Sequence, residues 1–218
     1  MNRTYSYHAM LGLVFLAVWI WSGINPTSHE GWMNETWVMF AAIPLLTYLT
    51  LRFRLSNLSF TLFTAVLIGH VIGSHFTYVE VPFGYALGAW MDTRRNMYDR
   101  FMHVLFGLLS AYPIHEILIK MNGKRSQWSY ILPVEIVLSL SAFFEILEYF
   151  VVLFIRPEAT DAFMGAPTDF WDATKDMLCA FSGAIIALVV ILICHGLAAW
   201  RRNRNTRAPA AASPGGPQ

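Results

Sequence analysis

The chain has 218 residues, of which 56% are hydrophobic and 15% aromatic, whereas only 13% are charged. About a quarter of the residues of a soluble domain are charged, so this chain lacks the polar surface that a soluble protein of its size needs. The formal net charge of +1 also excludes the strongly basic surface of a nucleic-acid-binding protein. The composition therefore predicts an integral membrane protein embedded in the lipid bilayer.

Apolar segments long enough to cross a bilayer follow one another between charged positions. A membrane-spanning helix needs about 20 predominantly apolar residues. In chain order, the sequence predicts an all-α bundle of six transmembrane helices at residues 5–24, 37–51, 58–78, 101–119, 128–155 and 176–200. The first segment ends in Trp19, Ile20 and Trp21, which is unlike the small-residue cleavage site of a secretory signal peptide. We therefore expect it to remain as a helix.

The distribution of basic residues predicts the orientation. With the N-terminus in the cytoplasm, ten of the 15 Lys and Arg residues lie on the cytoplasmic side and five on the outer side, as the positive-inside rule requires. Both termini are then cytoplasmic. Residues 1–200 form the transmembrane domain, and residues 201–218, which are basic and then rich in Ala, Pro and Gly, form a tail that we expect to be disordered.

Histidines and carboxylates recur near the predicted outer ends of four spans. An ionisable group inside a span is costly unless it is paired or hydrated, so each is a candidate functional residue. Spacings of three, four or seven residues place the members of each local set on one helical face. These sets are Asp99 with His103, Glu145 with Glu148, and Asp169 with Asp172 and Asp176, and His70 reaches a similar depth from the third span.

Imidazole and carboxylate groups are suitable ligands for zinc or another divalent metal. We assign His70, His103, Glu148 and Asp176 as metal ligands, Asp99 as the carboxylate that orients His103, and Glu145 as the general base. These three roles are hypotheses.

Three further candidates have structural alternatives. Asp169 with Asp172 matches an acidic helix N-terminus, which is a structural role. Glu148 has a structural alternative as well, since an ion pair with Arg100 would simply hold the bundle together. His75 lies about 140° around the helix from His70, so both can serve one site only if the helix unwinds near Gly73.

These motifs resemble those of the YjdF-like inner-membrane proteins, a bacterial family whose domain has no known function. The resemblance implies a multi-pass protein of the bacterial plasma membrane and implies no activity. A much weaker likeness to VanZ-like proteins depends on an acidic helix followed by Asp172, Asp176 and Gly183. The residues that carry the main resemblance are His70, Gly73, His75, Thr77, Tyr78, Val81 and Pro82, then Arg95, Asn96, Tyr98, Asp99, Arg100 and His103, then Glu145 and Glu148, and finally Asp169, Trp171, Asp172, Asp176 and Met177.

Three functions are compatible with these residues. The first is a membrane-embedded site, with or without a metal, that opens to the outer face and acts on a lipid-linked substrate or envelope precursor. The second is a proton-coupled small transporter or ion pathway, which would need to form a homo-oligomer because six spans are few for a carrier. The third is a noncatalytic membrane partner protein. Few polar residues continue toward the cytoplasmic side, which favours a one-sided site over a pathway.

Overall fold

The protein is helical throughout the residues that the computed structural model describes, which are 3–155 and 169–207. Eight α-helices and no strand occur in these ranges. They are α1 (Arg3–Ser22), α2 (His29–Thr36), α3 (Met39–Phe53), α4 (Asn57–His75), α5 (Pro82–Trp90), α6 (Tyr98–Asn122), α7 (Trp128–Ile155) and α8 (Asp172–Arg207).

Five helical stretches of the described residues are long and apolar enough to cross a membrane. They are His29–Phe53, Asn57–His75, Tyr98–Asn122, Trp128–Val151 and Asp172–Arg204, and the apolar stretch Ser6–Ser22 of α1 is shorter. The prediction of an all-α membrane bundle is thus confirmed with five candidate spans, and the sixth span stays a prediction.

The second span begins earlier than the sequence predicted. We expected residues 37–51, because Glu35 appeared to end the apolar segment on its outer side. Instead α2 leads through a short turn into α3, and the apolar stretch starts at His29. The Ser28 side chain caps α2 by accepting a hydrogen bond from the Gly31 backbone N–H at 3.1 Å. Glu35 is therefore part of a helix and not of a loop.

Helix α6 lies at the centre of the bundle and contacts α3, α4, α5, α7 and α8, whereas α1 packs on α4. Glycine makes the closest of these contacts possible. A Cβ atom added at Gly107 of α6 would overlap the Ala180 carbonyl of α8, and one added at Gly183 would overlap the Val104 carbonyl of α6. Small residues at such crossings allow membrane helices to approach backbone to backbone.

The ends of the helices define two faces of the bundle. The Tyr7 hydroxyl lies 2.8 Å from Thr61 Oγ1 near the starts of α1 and α4, and His75 Nδ1 donates to the Ser22 carbonyl, 2.9 Å away, at their other ends. We call the end that contains Ser22, His75 and the start of α6 the site face, and the other end the opposite face.

The opposite face has its own polar contacts. Glu116 accepts hydrogen bonds from the Ser56 backbone N–H at 3.0 Å, from both the Ser56 and Ser59 hydroxyls, and from Lys120. Glu116 and Lys120 are four residues apart on α6, so they share one face of the helix and form an ion pair there. Because these bonds fix the start of α4 against α6, we assign Glu116 a structural role.

An apolar layer separates the two faces within α6, α7 and α8. Its buried members include Ala111, Val137 and Ala184. Beyond this layer, His115 and His195 lie with Tyr130, whose hydroxyl is 3.0 Å from His195 Nδ1. Ser110 of α6 is also buried at this level, and its Oγ atom has no hydrogen-bond partner, so the described residues show no hydrogen-bonded chain between the two faces along these helices.

Helix α8 continues through the basic cluster to Arg207. Residues 208–218 lie outside the described residues, so the predicted disorder of the remaining tail stays a prediction. Residues 156–168, between α7 and α8, also lie outside them. The connection between α4 and α6 contains α5, whose Phe83 ring packs edge-on against Phe101 of α6 with the ring centroids 5.0 Å apart.

Candidate functional site

His103 is the centre of the polar cluster at the site face. Its side chain is 9% exposed, and its Nε2 atom lies 3.2 Å from Glu145 Oε1 and 3.7 Å from Asp99 Oδ1. Asp99, His103 and Asp176 each offer one ligand atom, and these atoms all lie within 4.8 Å of one another. Helices α6, α7 and α8 therefore bring together four of the predicted site residues.

Two oxygen atoms of this cluster are buried without a hydrogen-bond donor. They are Glu145 Oε1 and Asp176 Oδ1, and the Asp176 side chain is only 2% exposed. Burying a carboxylate oxygen away from water without a partner is unfavourable. A proton, a cation or a water molecule beside each oxygen would remove this cost.

The other ring nitrogen of His103 has a partner that fixes the imidazole. His103 Nδ1 lies 3.1 Å from Ser141 Oγ of α7. If Nδ1 donates its proton to this hydroxyl, Nε2 presents a lone pair to Asp99, Glu145 and the space between them. We had predicted that Asp99 orients the His103 ring. Ser141 makes that contact at Nδ1 instead, and Asp99 lies on the Nε2 side of the ring.

A network of ion pairs closes the cluster on the side of the solvent. Arg95 Nη2 lies 2.6 Å from Asp172 Oδ1, and Arg100 Nη2 lies 2.7 Å from Asp169 Oδ2 and 3.1 Å from Asp172 Oδ1. Arg100 Nε is 3.8 Å from Asp176 Oδ1, which is beyond hydrogen-bond distance. These arginines join the start of α6 to the start of α8, so Asp169 and Asp172 are linking residues here, and Arg100 pairs with them and not with Glu148 as the alternative required.

Asp169 lies just before α8, outside the membrane-spanning segments. The Lys175 ammonium donates hydrogen bonds to both of its carboxylate oxygens at 2.7 and 2.8 Å, and this contact, together with that of Arg100, lowers the pKa of Asp169 to about 2. Its Oδ1 atom also accepts the backbone N–H of Trp171 at 3.2 Å. Asp169 thus orders the turn before α8 in addition to its ion pairs, and Asp172 is the acidic residue in the first turn of the helix.

Negative charges outnumber positive charges around His103. Five carboxylates, those of Asp99, Glu145, Asp169, Asp172 and Asp176, share the three cationic side chains of Arg95, Arg100 and Lys175. The formal net charge of these eight side chains is therefore −2, and the excess negative charge lies on the buried side of the network. A divalent cation or two protons would neutralise it.

His70 lies outside this cluster, although the sequence predicted it as a metal ligand. Its Nε2 atom donates to the backbone carbonyl of Glu35 at 2.9 Å, because a carbonyl can only accept, and its Nδ1 atom then accepts from the Tyr78 hydroxyl at 2.6 Å. Both nitrogens are occupied. His70 therefore ties α4 to α2 and to the turn that contains Tyr78.

The turn after α4 needs unusual backbone angles. Thr77 and Tyr78 have positive φ values of 52° and 58°, a region that β-branched and bulky residues rarely adopt. The turn folds the Tyr78 ring back over α4, where a Cβ atom at Gly73 would lie only 2.6 Å from a ring carbon. Gly73 thus provides the space that lets Tyr78 reach His70.

His75 and Glu148 also lie apart from the cluster of possible metal ligands. His75 donates to the Ser22 carbonyl and stacks on Trp21 with ring centroids 4.5 Å apart, so it joins α4 to α1. Glu148 lines a small cavity of about 20 Å³ together with Glu35 of α2. The continuous helix through His75 excludes the unwinding that a joint site of both histidines required.

A larger cavity of about 210 Å³ extends from the cluster into the bundle. Its polar lining consists of His70, Tyr78, Asp99, His103 and Ser141. The remaining lining is apolar and comes from α3, α4, α6 and α7, namely Val38, Met39, Ala42, Val66, Leu67, Met102, Phe106, Leu140 and Phe144. The cavity thus combines a few polar groups with mostly apolar walls, as small-molecule sites usually do.

Comparison with known proteins identifies the family. The family model described as "Predicted membrane protein (DUF2238)" matches residues 7–196. The chain belongs to this family. It is also 29% identical over 184 residues to the inner membrane protein YjdF of Escherichia coli (strain K12). The aligned region covers 84% of this chain and 88% of the relative. The predicted YjdF-like resemblance is confirmed, and no solved structure matches the chain. The weaker likeness to VanZ-like proteins stays a prediction.

Sequence reasoning missed three residues around this polar site. Glu35 was not among the predicted site residues, Tyr78 was treated as the end of a span, and Ser141 had no signal, because a serine inside a span is common. The available signal for Tyr78 was its place in the motif that begins at His70, eight residues earlier. Arg95 also belongs to the motifs, and its acidic partner was not predicted.

Proposed function

We propose that this multi-pass membrane protein holds a divalent cation between Asp99, His103 and Asp176 and uses it in a hydrolytic site at the outer surface of the bacterial plasma membrane. The observation that carries the proposal is the convergence on His103 of carboxylates from three helices, of which two have buried oxygens without donors. One imidazole nitrogen with carboxylate oxygens is a suitable donor set for zinc or manganese.

The orientation follows from the same helices. Six spans, with α1 as the first, place both termini on the side that carries ten of the 15 basic residues, so that side is the cytoplasm. The site face is then the outer face. The inner-membrane location of the Escherichia coli relative supports this placement in the plasma membrane.

Glu145 is the group best placed to move a proton. It approaches Nε2 of His103 from α7, and one of its oxygens has no donor. A bound cation would lower the pKa of a water molecule that it polarises. With such a cation bound, Glu145 would take a proton from the attacking water as the water oxygen bonds to the acyl or phosphoryl centre, and would pass it to the leaving oxygen as that bond breaks.

The apolar layer favours this one-sided site over a proton pathway. From His103 to His115 the distance along α6 is about 18 Å at 1.5 Å per residue. Ala111, Val137 and Ala184 are at most 1% exposed within this interval of the bundle. A relay needs a chain of polar groups or water across such a distance, whereas Ser110, which is buried in this interval, has no hydrogen-bond partner among the described residues.

Metal content of the purified protein tests the proposal. We expect near-stoichiometric metal after purification in mild detergent without chelator, and its loss in His103→Ala and Asp176→Asn. The matched controls are His29→Ala and Asp92→Asn, because both residues are exposed. Size-exclusion profiles establish that each variant is folded. Absence of metal in the wild type after supplementation with zinc, manganese and iron would refute the cation site.

A further inference from the structure

The larger cavity is shaped for an amphiphile. Its lining combines five polar residues, His70, Tyr78, Asp99, His103 and Ser141, with nine apolar ones from α3, α4, α6 and α7. A small polar metabolite would leave the apolar walls uncovered, whereas a pure hydrocarbon would leave Asp99 and His103 without partners. The lining therefore complements a molecule with a polar group at the end of a hydrocarbon chain.

The cavity opens toward the surface of the bundle that faces lipid. Leu140 of α7 lines it and is nevertheless 47% exposed, and it lies in the apolar stretch Trp128–Val151. A residue that both lines a cavity and lies on the outer surface of a membrane helix marks a lateral opening. A hydrocarbon chain can enter there from the bilayer without crossing water.

The size of the cavity limits what it can hold. A cavity of about 150 Å³ lined by apolar side chains binds benzene, so the 210 Å³ here accommodates, by proportion, about eight carbon atoms. That is the part of an acyl chain nearest its ester group. The remainder of the lipid then stays in the bilayer, beyond Leu140.

We infer that the cavity takes the ester end of one acyl chain of a membrane lipid from the bilayer and directs its polar group to Asp99 and His103. This inference deepens the proposed function, on which it depends for the role of the lipid as substrate. It adds that the substrate is a membrane amphiphile that enters sideways, so a water-soluble ester or phosphate lacking a chain would not compete for the cavity.

Photolabelling in nanodiscs tests the inference. The probe is a phosphatidylglycerol that carries a diazirine near the ester end of its acyl chain, and labelled peptides are identified by mass spectrometry. We expect preferential labelling of the segments that contain Leu140 and Phe144. Leu140→Trp should narrow the opening and reduce this labelling severalfold. The matched control is Leu153→Trp, because Leu153 is also 47% exposed on α7 but does not line the cavity.

A second pair of variants keeps the test decisive if Leu140→Trp does not fold. Ala42→Phe fills the cavity from α3, whereas Ala41→Phe places the same side chain at the neighbouring exposed position. Reduced labelling in Ala42→Phe alone supports the inference. Labelling that is equal in all variants and spread over lipid-facing residues such as Phe154 would overturn it.

Metal content measured in the same preparations separates the two proposals. Metal that is retained in Leu140→Trp and Ala42→Phe, together with reduced labelling, supports both the cation site and the lipid cavity. Retained metal together with uniform labelling overturns the proposal of lipid binding in the cavity and leaves the cation site supported. Absence of metal with selective labelling refutes the cation site, supports lipid binding in the cavity, and overturns the role of that lipid as a substrate of a metal-dependent site.

Discussion

Replacing Tyr78 by phenylalanine tests whether His70 is a structural residue or a metal ligand. The substitution removes the hydroxyl that donates to His70 Nδ1 at 2.6 Å. Because His70 is buried, its Nδ1 atom is then left without a hydrogen-bond donor. An unsatisfied buried acceptor costs about 1–3 kcal/mol. For a chain of this length each kcal/mol corresponds to about 2–4 °C, so we expect the melting temperature to fall by about 2–12 °C.

The assay combines thermal unfolding in detergent with metal content. If the hydrogen bonds of His70 are structural, Tyr78→Phe lowers the melting temperature and leaves the metal bound. The control is Tyr85→Phe, because Tyr85 is 51% exposed on α5 and should tolerate the change. A normal melting temperature with loss of metal, as in His103→Ala, would refute our reasoning and return His70 to the set of ligands.

Two further substitutions test how the bundle positions the site. Gly107→Leu should separate α6 from α8, because even a Cβ atom there overlaps the Ala180 carbonyl, and the expected result is loss of the monodisperse size-exclusion peak. Gly12→Leu, with open space around it, should elute normally, and equal behaviour of the two would contradict the close packing. Glu116→Ala leaves the Ser56 backbone N–H without its acceptor and should destabilise by about 1–3 kcal/mol. Urea or thermal unfolding measures this, and the control is Glu80→Ala, because Glu80 is exposed between α4 and α5 and should tolerate the change.

The depth of the site residues could be predicted from sequence, because helix rise and charge positions determine it. His103, Glu145 and Asp176 were all expected near one face, and the structure brings them together. Their neighbours could not be predicted, since depth along a helix does not determine its rotation or its partners. His70 shows the difference, as its depth agrees with the prediction while both of its nitrogens bond to groups that the sequence placed elsewhere.

Backbone conformation explains the remaining difference. Non-glycine residues rarely have positive φ, and nothing in the local sequence indicated that Thr77 and Tyr78 would both adopt it. Without that turn, Tyr78 would continue a span and could not reach His70. Similarly, the aspartate partners of Arg95 and Arg100 could not be predicted, because they lie about 70 residues later in the chain, and the pairing suggested for Arg100 was with Glu148.

The apolar layer across α6, α7 and α8 has an electrical consequence. Most of a transmembrane voltage falls across the part of a membrane protein that holds neither water nor mobile charge, and a full crossing changes the energy of a unit charge by about 2.3 kcal/mol per 100 mV. His103 and its carboxylates lie on one side of the layer formed by Ala111, Val137 and Ala184. An ion or proton that reaches them from the site face traverses little of that field. The occupancy of the cluster by an ion or proton should therefore depend on the ion concentration and pH of one compartment and be almost insensitive to the membrane potential.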